Sequence, residues 1–341
     1  MTKVGFCTRE QFVRWLGNLK DELTLVAPTD VQGISLYKPI RDVATIQWDF
    51  TRPILSIKEF FFPPTERLMF IEKFNAQVKV TETLPQEKTV VFGVRPCDAR
   101  GVRVLDAMFV ENEPVDPYYA RRRENTTLIG LTCEEMGDTC FCTQVGGSPN
   151  EWRDMDIALT EVNGGYHVRI VTDKGERLLS FGGGLTLQSW DEPELTQPAT
   201  KTDVLPEASV WQNLFDDEYW KQMGERCLSC RVCAYVCPTC RCFDIRDEMS
   251  FAENGDKTYE RLRCWDSCTG EAYRRIAGGH NPRPTEGQRL RNRFYCKFYY
   301  YPLQYHLREN IACTGCGRCI DACPVNIDIT EVLQHVMEVH P

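Results

Sequence analysis

Apolar residues recur along this chain in three rhythms, and each predicts a different kind of element. Over residues 8–20, Phe12, Leu16 and Leu19 return at helical spacing behind a Thr8-x-x-Gln11 capping pattern, which predicts an amphipathic helix. Residues 22–27 and 34–37 predict short strands, with Pro28 and Gly33 marking the turn between them. Thr89–Val94 (TVVFGV) and Thr126–Leu131 (TTLIGL) are unbroken apolar runs, the pattern of strands buried on both faces of a parallel sheet. Between them Val102, Leu105, Ala107 and Phe109 follow a helical period, for which Asp98 is the expected N-cap. Residues 157–171 alternate on either side of Asn163-Gly164-Gly165, which predicts a hairpin, and residues 211–224 predict a helix. Phe60-Phe61-Phe62-Pro63-Pro64 is too apolar for a free loop and is expected in a core or a subunit interface.

The stretch DEPELTQPATKTDVLP breaks this patterning with proline and polar residues, so we place a linker at residues 191–210. The expected fold class is α+β, with an α/β domain at residues 1–190 and a mainly helical domain at residues 211–341. At 341 residues and 42% hydrophobic, the chain has enough apolar surface for two cores. No uncharged apolar run approaches the roughly 20 residues needed to cross a bilayer, so no direct membrane insertion is expected. The opening MTKVGFCTRE is not a basic-then-apolar leader, and the expected setting for its 18 cysteines is a reducing, cytoplasmic one.

A net charge of -9 argues against nucleic acid as a partner. The local exception is Arg289, Arg291, Arg293 and Lys297 among aromatic residues, read as a packed segment whose cations offset cluster charge or meet a partner. Gly182-Gly183-Gly184 lacks the G-x-G-x-x-G order, and no nucleotide fingerprint is found elsewhere. No catalytic residue or independent substrate site is therefore assigned.

The cysteines carry the chemistry. Cys227-x2-Cys230-x2-Cys233-x3-Cys237-Pro238 and Cys313-x2-Cys316-x2-Cys319-x3-Cys323-Pro324 are two copies of the run that bacterial-type ferredoxins use for 4Fe-4S clusters. In such runs three thiolates bind one cluster and the fourth crosses to the other. This assigns Cys227, Cys230, Cys233 and Cys323 to one cluster, and Cys313, Cys316, Cys319 and Cys237 to the second. Structural zinc uses four ligands per ion and has no place for the third cysteine or the trailing Cys-Pro. Cys97 and Cys133 end the two apolar strand runs, where ligand sites of parallel sheets gather, and Cys140 and Cys142 follow closely. These four suffice for a third 4Fe-4S cluster, or serve as buried core thiols. Cys240, Cys242, Cys268 and Cys296 are enough for a fourth, but packed thiols explain them equally well, so no fourth cluster is assigned. Cys7 and Cys264 have no role here. His280 is read as a turn histidine.

Several longer segments resemble a known family: KEFFFPPTERL, VVFGVRPCDARGVRVLDAMF, LIGLTCEEMGDTCFC, AGGHNPRPT and RLRNRFYCK. Together they span nearly the whole chain. They are similar to the iron-sulfur beta subunits of cytoplasmic group 3 nickel-iron hydrogenases, the sulfhydrogenases, and to the related A subunit of anaerobic sulfite reductase. The resemblance implies an electron-transfer subunit joining an FAD- and NAD(P)-binding subunit to hydrogenase catalytic subunits, or to those of a sulfite reductase or a heterodisulfide-reductase-type complex. An iron-sulfur regulator is the more remote alternative. The resemblance also implies that Cys97, Cys133, Cys140 and Cys142 hold a third cluster.

Overall fold

The two unbroken apolar runs lie side by side at the centre of a seven-stranded sheet in a computed structural model that describes residues 3–74, 77–190, 206, 208–251, 257–307 and 311–339. The expected linker at 191–210 lies mostly outside the described residues. The first half contains β1 (Lys3–Thr8), β2 (Thr24–Val31), β3 (Ile34–Pro39), β4 (Thr65–Phe74), β5 (Gln77–Glu82), β6 (Thr89–Val94), β7 (Thr126–Leu131), β8 (Ile157–Val162) and β9 (Gly165–Ile170). The large sheet runs β1-β9-β8-β7-β6-β2-β3. Its β2-β6-β7-β8 centre is parallel, and its remaining pairs are antiparallel.

Helices cover both faces, which is why the central strands read as continuous apolar runs. One face packs on α1 (Arg9–Leu19), where Phe12, Trp15, Leu16 and Leu19 meet Val90, Phe92 and Ile129. Thr8 and Gln11 form the expected capping box at its start. The other face packs on α2 (Pro96–Phe109) and α3 (Pro117–Asn125), where Val91, Val94 and Leu128 meet Val102, Leu105 and Tyr119. Phe61 and Phe62 are fully buried in this second core. The expected N-cap is corrected: α2 begins at Pro96 behind Arg95, and Asp98 lies inside the first turn, where its carboxylate has another partner. Pro28 is likewise inside β2, and the turn to β3 is at Gln32-Gly33.

After α4 (Asp173–Leu178), the second half is mainly helical, with α5 (Ala208–Asn213), α6 (Tyr219–Arg226), α7 (Val232–Tyr235), α8 (Glu286–Tyr295), a π-helical turn at Cys296–Tyr300, α9 (Tyr301–Tyr305), α10 (Arg318–Asp321) and α11 (Ile329–Val339). The single helix expected over 211–224 is instead the pair α5 and α6. Asp217 Oδ1 takes the Tyr219 amide at 2.7 Å and Leu214's carbonyl takes the Trp220 indole at 2.7 Å, which fixes the break. Trp211, Trp220, Phe294, Tyr295, Val332 and Val336 form the core of this half, joined by Phe141 and Val145 from the first.

Between the first cysteine run and α8 the chain forms a hairpin, β10 (Phe243–Phe251) and β11 (Lys257–Trp265). It completes a four-stranded antiparallel sheet, β10-β11-β4-β5, with two strands from each half of the chain. Behind this sheet Glu66 is buried with Arg263 and Arg122, and Arg263 also pairs with Asp116. Buried charges are tolerated when paired in this way.

Candidate metal centres

The two cysteine runs fold alike. Ser229 and Arg231 in the first, and Gly315 and Gly317 at the matching positions of the second, all have positive φ, between 52° and 72°. This left-handed path curls each loop around its own thiols. The Ser229 amide lies 3.4 Å from Cys227 Sγ, and the Gly315 amide 3.5 Å from Cys313 Sγ. Each loop then enters a short helix, α7 or α10. Glycine is required in the second copy for a further reason. A Cβ on Gly315 would stand 2.4 Å from the Cys142 Cα, and one on Gly317 2.4 Å from the Thr139 carbonyl oxygen.

Cys227, Cys230, Cys233 and Cys323 line one cavity. Cys237, Cys313, Cys316 and Cys319 line another beside it, and Cys319 and Arg293 border both. Cys237 of the first run thus lines the cavity of the second, and Cys323 of the second run lines that of the first. The Arg293 side chain is buried beside Cys233 and Cys319, and its Nε finds no hydrogen-bond partner among the described residues. Ser229 Oγ and Thr314 Oγ1 are buried donors in the same position, one at each cavity. Unsatisfied donors cost energy unless an acceptor meets them, and an anionic sulfide-bearing group in these cavities supplies one.

The third set also converges. Cys133 lies within electrostatic reach of Cys97, Cys140 and Cys142. Cys140 Sγ lies 3.8 Å from the carbonyl oxygen of Cys316, so this set abuts the second cavity. Its loop is held by the Phe141 amide donating to Gly315 at 2.8 Å. Burial pushes the Cys97 thiol well above its ordinary range, and Asp98 adds to the effect. Arg318, from within the second run, donates to both Asp98 oxygens at 2.5 and 2.8 Å, and each side chain of this pair is 0% exposed.

Lys297 lies with its Nζ 3.2 Å from Cys237 Sγ, and Arg289 and Arg293 are as deeply buried. The basic-aromatic segment is therefore packed inside the protein, where two of its cations face sulfur. A hydrogen bond from Cys240, helped by Lys297, holds the Cys237 thiol well below its usual range in spite of burial. Cys7 lies in the core under α1, Cys264 is a β11 residue opposite Thr65, and His280 is exposed in a turn. Sequence reasoning missed Lys58 and the Asp98-Arg318 pair. Lys58 stands among the phenylalanines of KEFFFPP, where a charge is out of place; nothing local marks Asp98 and Arg318 as partners.

Residues 226–327 match the family described as "4Fe-4S dicluster domain". Sulfhydrogenase 2 subunit beta of Pyrococcus furiosus is 34% identical to this chain over 342 residues, covering 96% of this chain and 97% of the relative. The chain belongs to the sulfhydrogenase beta-subunit family. No solved structure matches it. As an iron-sulfur member of that family it carries at least two 4Fe-4S clusters, and the side chains around both cavities fit such groups. No helix among the described residues of this sulfhydrogenase-type subunit is long and apolar enough to cross a membrane.

Proposed function

We propose that this chain is the electron-transfer subunit of a multisubunit oxidoreductase, joining a subunit that binds FAD and NAD(P) to hydrogenase catalytic subunits. Cys227, Cys230, Cys233 and Cys323 hold one cluster, Cys313, Cys316, Cys319 and Cys237 the second, and Cys97, Cys133, Cys140 and Cys142 a third. When bound, such clusters take up and release single electrons. The relative's name makes it one subunit of a larger assembly, and that supports partners for this chain. Eighteen free thiols suit a reducing compartment, and we place the protein in the cytoplasm.

Contiguity is the observation that carries this reading. Cys319 and Arg293 border both cavities of the dicluster part, and Cys140 touches the Cys316 backbone of the second. The three sets form an unbroken path through the protein. Along it the chain's own groups favour added negative charge. The amides of Ser229, Gly315 and Ile327 point at ligand sulfurs, and Arg293 and Lys297 stand in the dry interior beside them. Hydrogen bonds and burial of this kind set the potential of an iron-sulfur site.

The test is the assembled complex purified without oxygen, with Cys316→Ala compared to wild type. Coupled hydrogen-dependent NAD(P)+ reduction should fall at least about tenfold, while dye-linked assays of each partner alone persist; losing one cluster ligand or its outer support typically costs that much. Unchanged coupled turnover, or NAD(P)H oxidation by the isolated chain, would overturn the reading.

A further inference from the structure

Four cysteines outside the sets above share one place in the fold, and two elements bring them there. The register of the β10-β11 hairpin puts Phe243 opposite Trp265, with the Asp266 amide donating 2.9 Å to the Cys242 carbonyl. Closing the hairpin therefore delivers Cys242 and Cys268 to the same end, where their sulfurs are hydrogen-bonded. Cys240 precedes this hairpin, and its thiol lies within hydrogen-bonding reach of Cys237. Cys296 comes from the opposite side, on the π-helical turn that interrupts the passage from α8 to α9. Such turns are rare and concentrate at functional sites. Cys268 is buried within reach of Cys240, Cys242 and Cys296.

The surroundings are cationic. Lys58 and Lys297 are each 2% exposed. Lys58 Nζ donates to the Cys240 carbonyl at 3.1 Å and sits 3.9 Å over the Trp265 ring. Arg241 lies over the Tyr301 ring and donates to Cys296 Sγ at 3.3 Å. Lys297 touches Cys237 and stands near Cys240 and Cys296. Among the described residues none of these three cations is ion-paired with a carboxylate. A buried positive charge needs an anionic partner: Lys297 has Cys237 of the second set, but Lys58 and Arg241 around neutral thiols would be left without one. Four thiolates on a cubane cluster supply that charge.

We propose that Cys240, Cys242, Cys268 and Cys296 ligate a fourth 4Fe-4S cluster, placed beside the second through the Cys237-Cys240 contact. Each thiol gives up its proton on binding iron, and Lys58, Arg241 and Lys297 hold the resulting negative charge. The second cluster then has three neighbours, so the path through the subunit branches at Cys237, Cys316 and Cys319.

The proposal rests on the iron-sulfur reading of the chain, and its test separates the two. The full-length protein, matured and purified without oxygen, is assayed for iron and acid-labile sulfide beside the C242S/C268S variant and a C264S control. The variant should lose about four irons and four sulfides per chain, on four cysteines to one cubane, while C264S loses none. In wild type all four thiols should resist alkylation until denaturation. Equal iron in wild type and C242S/C268S, or alkylation of the four thiols in the iron-loaded wild type, would overturn the fourth site and leave the other sets standing. Zinc in place of iron in the wild type would overturn both. Should C242S/C268S fail to fold, the wild-type content decides: about sixteen irons and sulfides per chain support the fourth site and about twelve overturn it, on four irons to a cubane.

Discussion

Asp98 and Arg318 lie 220 positions apart, yet they form the most deeply buried ion pair of the molecule's described part. Arg318 is itself held by donating to the Pro53 carbonyl at 2.9 Å, and the Tyr37 hydroxyl donates to Asp98 at 3.4 Å, so the carboxylate has two partners, a guanidinium and a phenol. Removing one partner from such a pair leaves an uncompensated charge, a loss of about 3–5 kcal/mol. Asp98→Asn should lower the stability of the iron-loaded protein by about that much, and adding Arg318→Met should restore part of it; denaturant midpoints check both. Cys7 gives a pH-dependent prediction free of the metal sites. It is buried under α1, and burial pushes its thiol from 9.0 up to about 11. A raised folded value means its contribution is complete below pH 9.0 and is lost as pH climbs towards 11. Near pH 10.5 the deficit is about 2 kcal/mol, at 1.4 kcal/mol per pH unit. Cys7→Ala should flatten that decline when denaturant midpoints are compared near pH 8 and pH 10.5.

Among the elements, the paired loops show how one spacing is solved with different residues. The first run carries Ser229 and Arg231 at positive φ; the second needs glycine because the 139–142 loop lies against it. Gly317→Ala would drive a methyl to 2.4 Å from the Thr139 carbonyl in an already left-handed residue. We expect the variant to lose iron from the third set first, with its stability down by about 2 kcal/mol or more, a steric loss typical of strained special positions. Iron content and thermal unfolding measure it. Short-range features were legible in the sequence: the Thr8-Gln11 cap, the β6 and β7 runs, the hairpin of β8 and β9, and the grouping of thiols by two-residue gaps. Each depends on neighbours a few positions away. The break between α5 and α6 was not, because it rests on one aspartate and one indole, and the helical period runs through both sides.

Across the whole molecule, the two halves are knitted by a shared sheet, by the Asp98-Arg318 pair, and by Phe141 and Val145 inside the core of the second half. Residues 211–341 produced alone should therefore hold less iron than two clusters require and bind a dye for exposed apolar surface; full iron content and no dye binding would show that this half stands by itself. None of this joining was readable in advance. Strands β10 and β11 expose charge on both faces and lack the clean alternation of a half-buried strand, and their partner β4 is distant in sequence. That distance has a consequence in time. Thr65 of β4 pairs with Cys264, so during synthesis β4 waits for roughly two hundred residues, on the order of ten to forty seconds at ordinary translation rates. Its alternating charges, Glu66, Arg67, Glu72 and Lys73, keep that open edge from recruiting other chains meanwhile. Iron and sulfide delivery to the dicluster part must then wait until Cys316, Cys319 and Cys323 have followed the hairpin out of the ribosome.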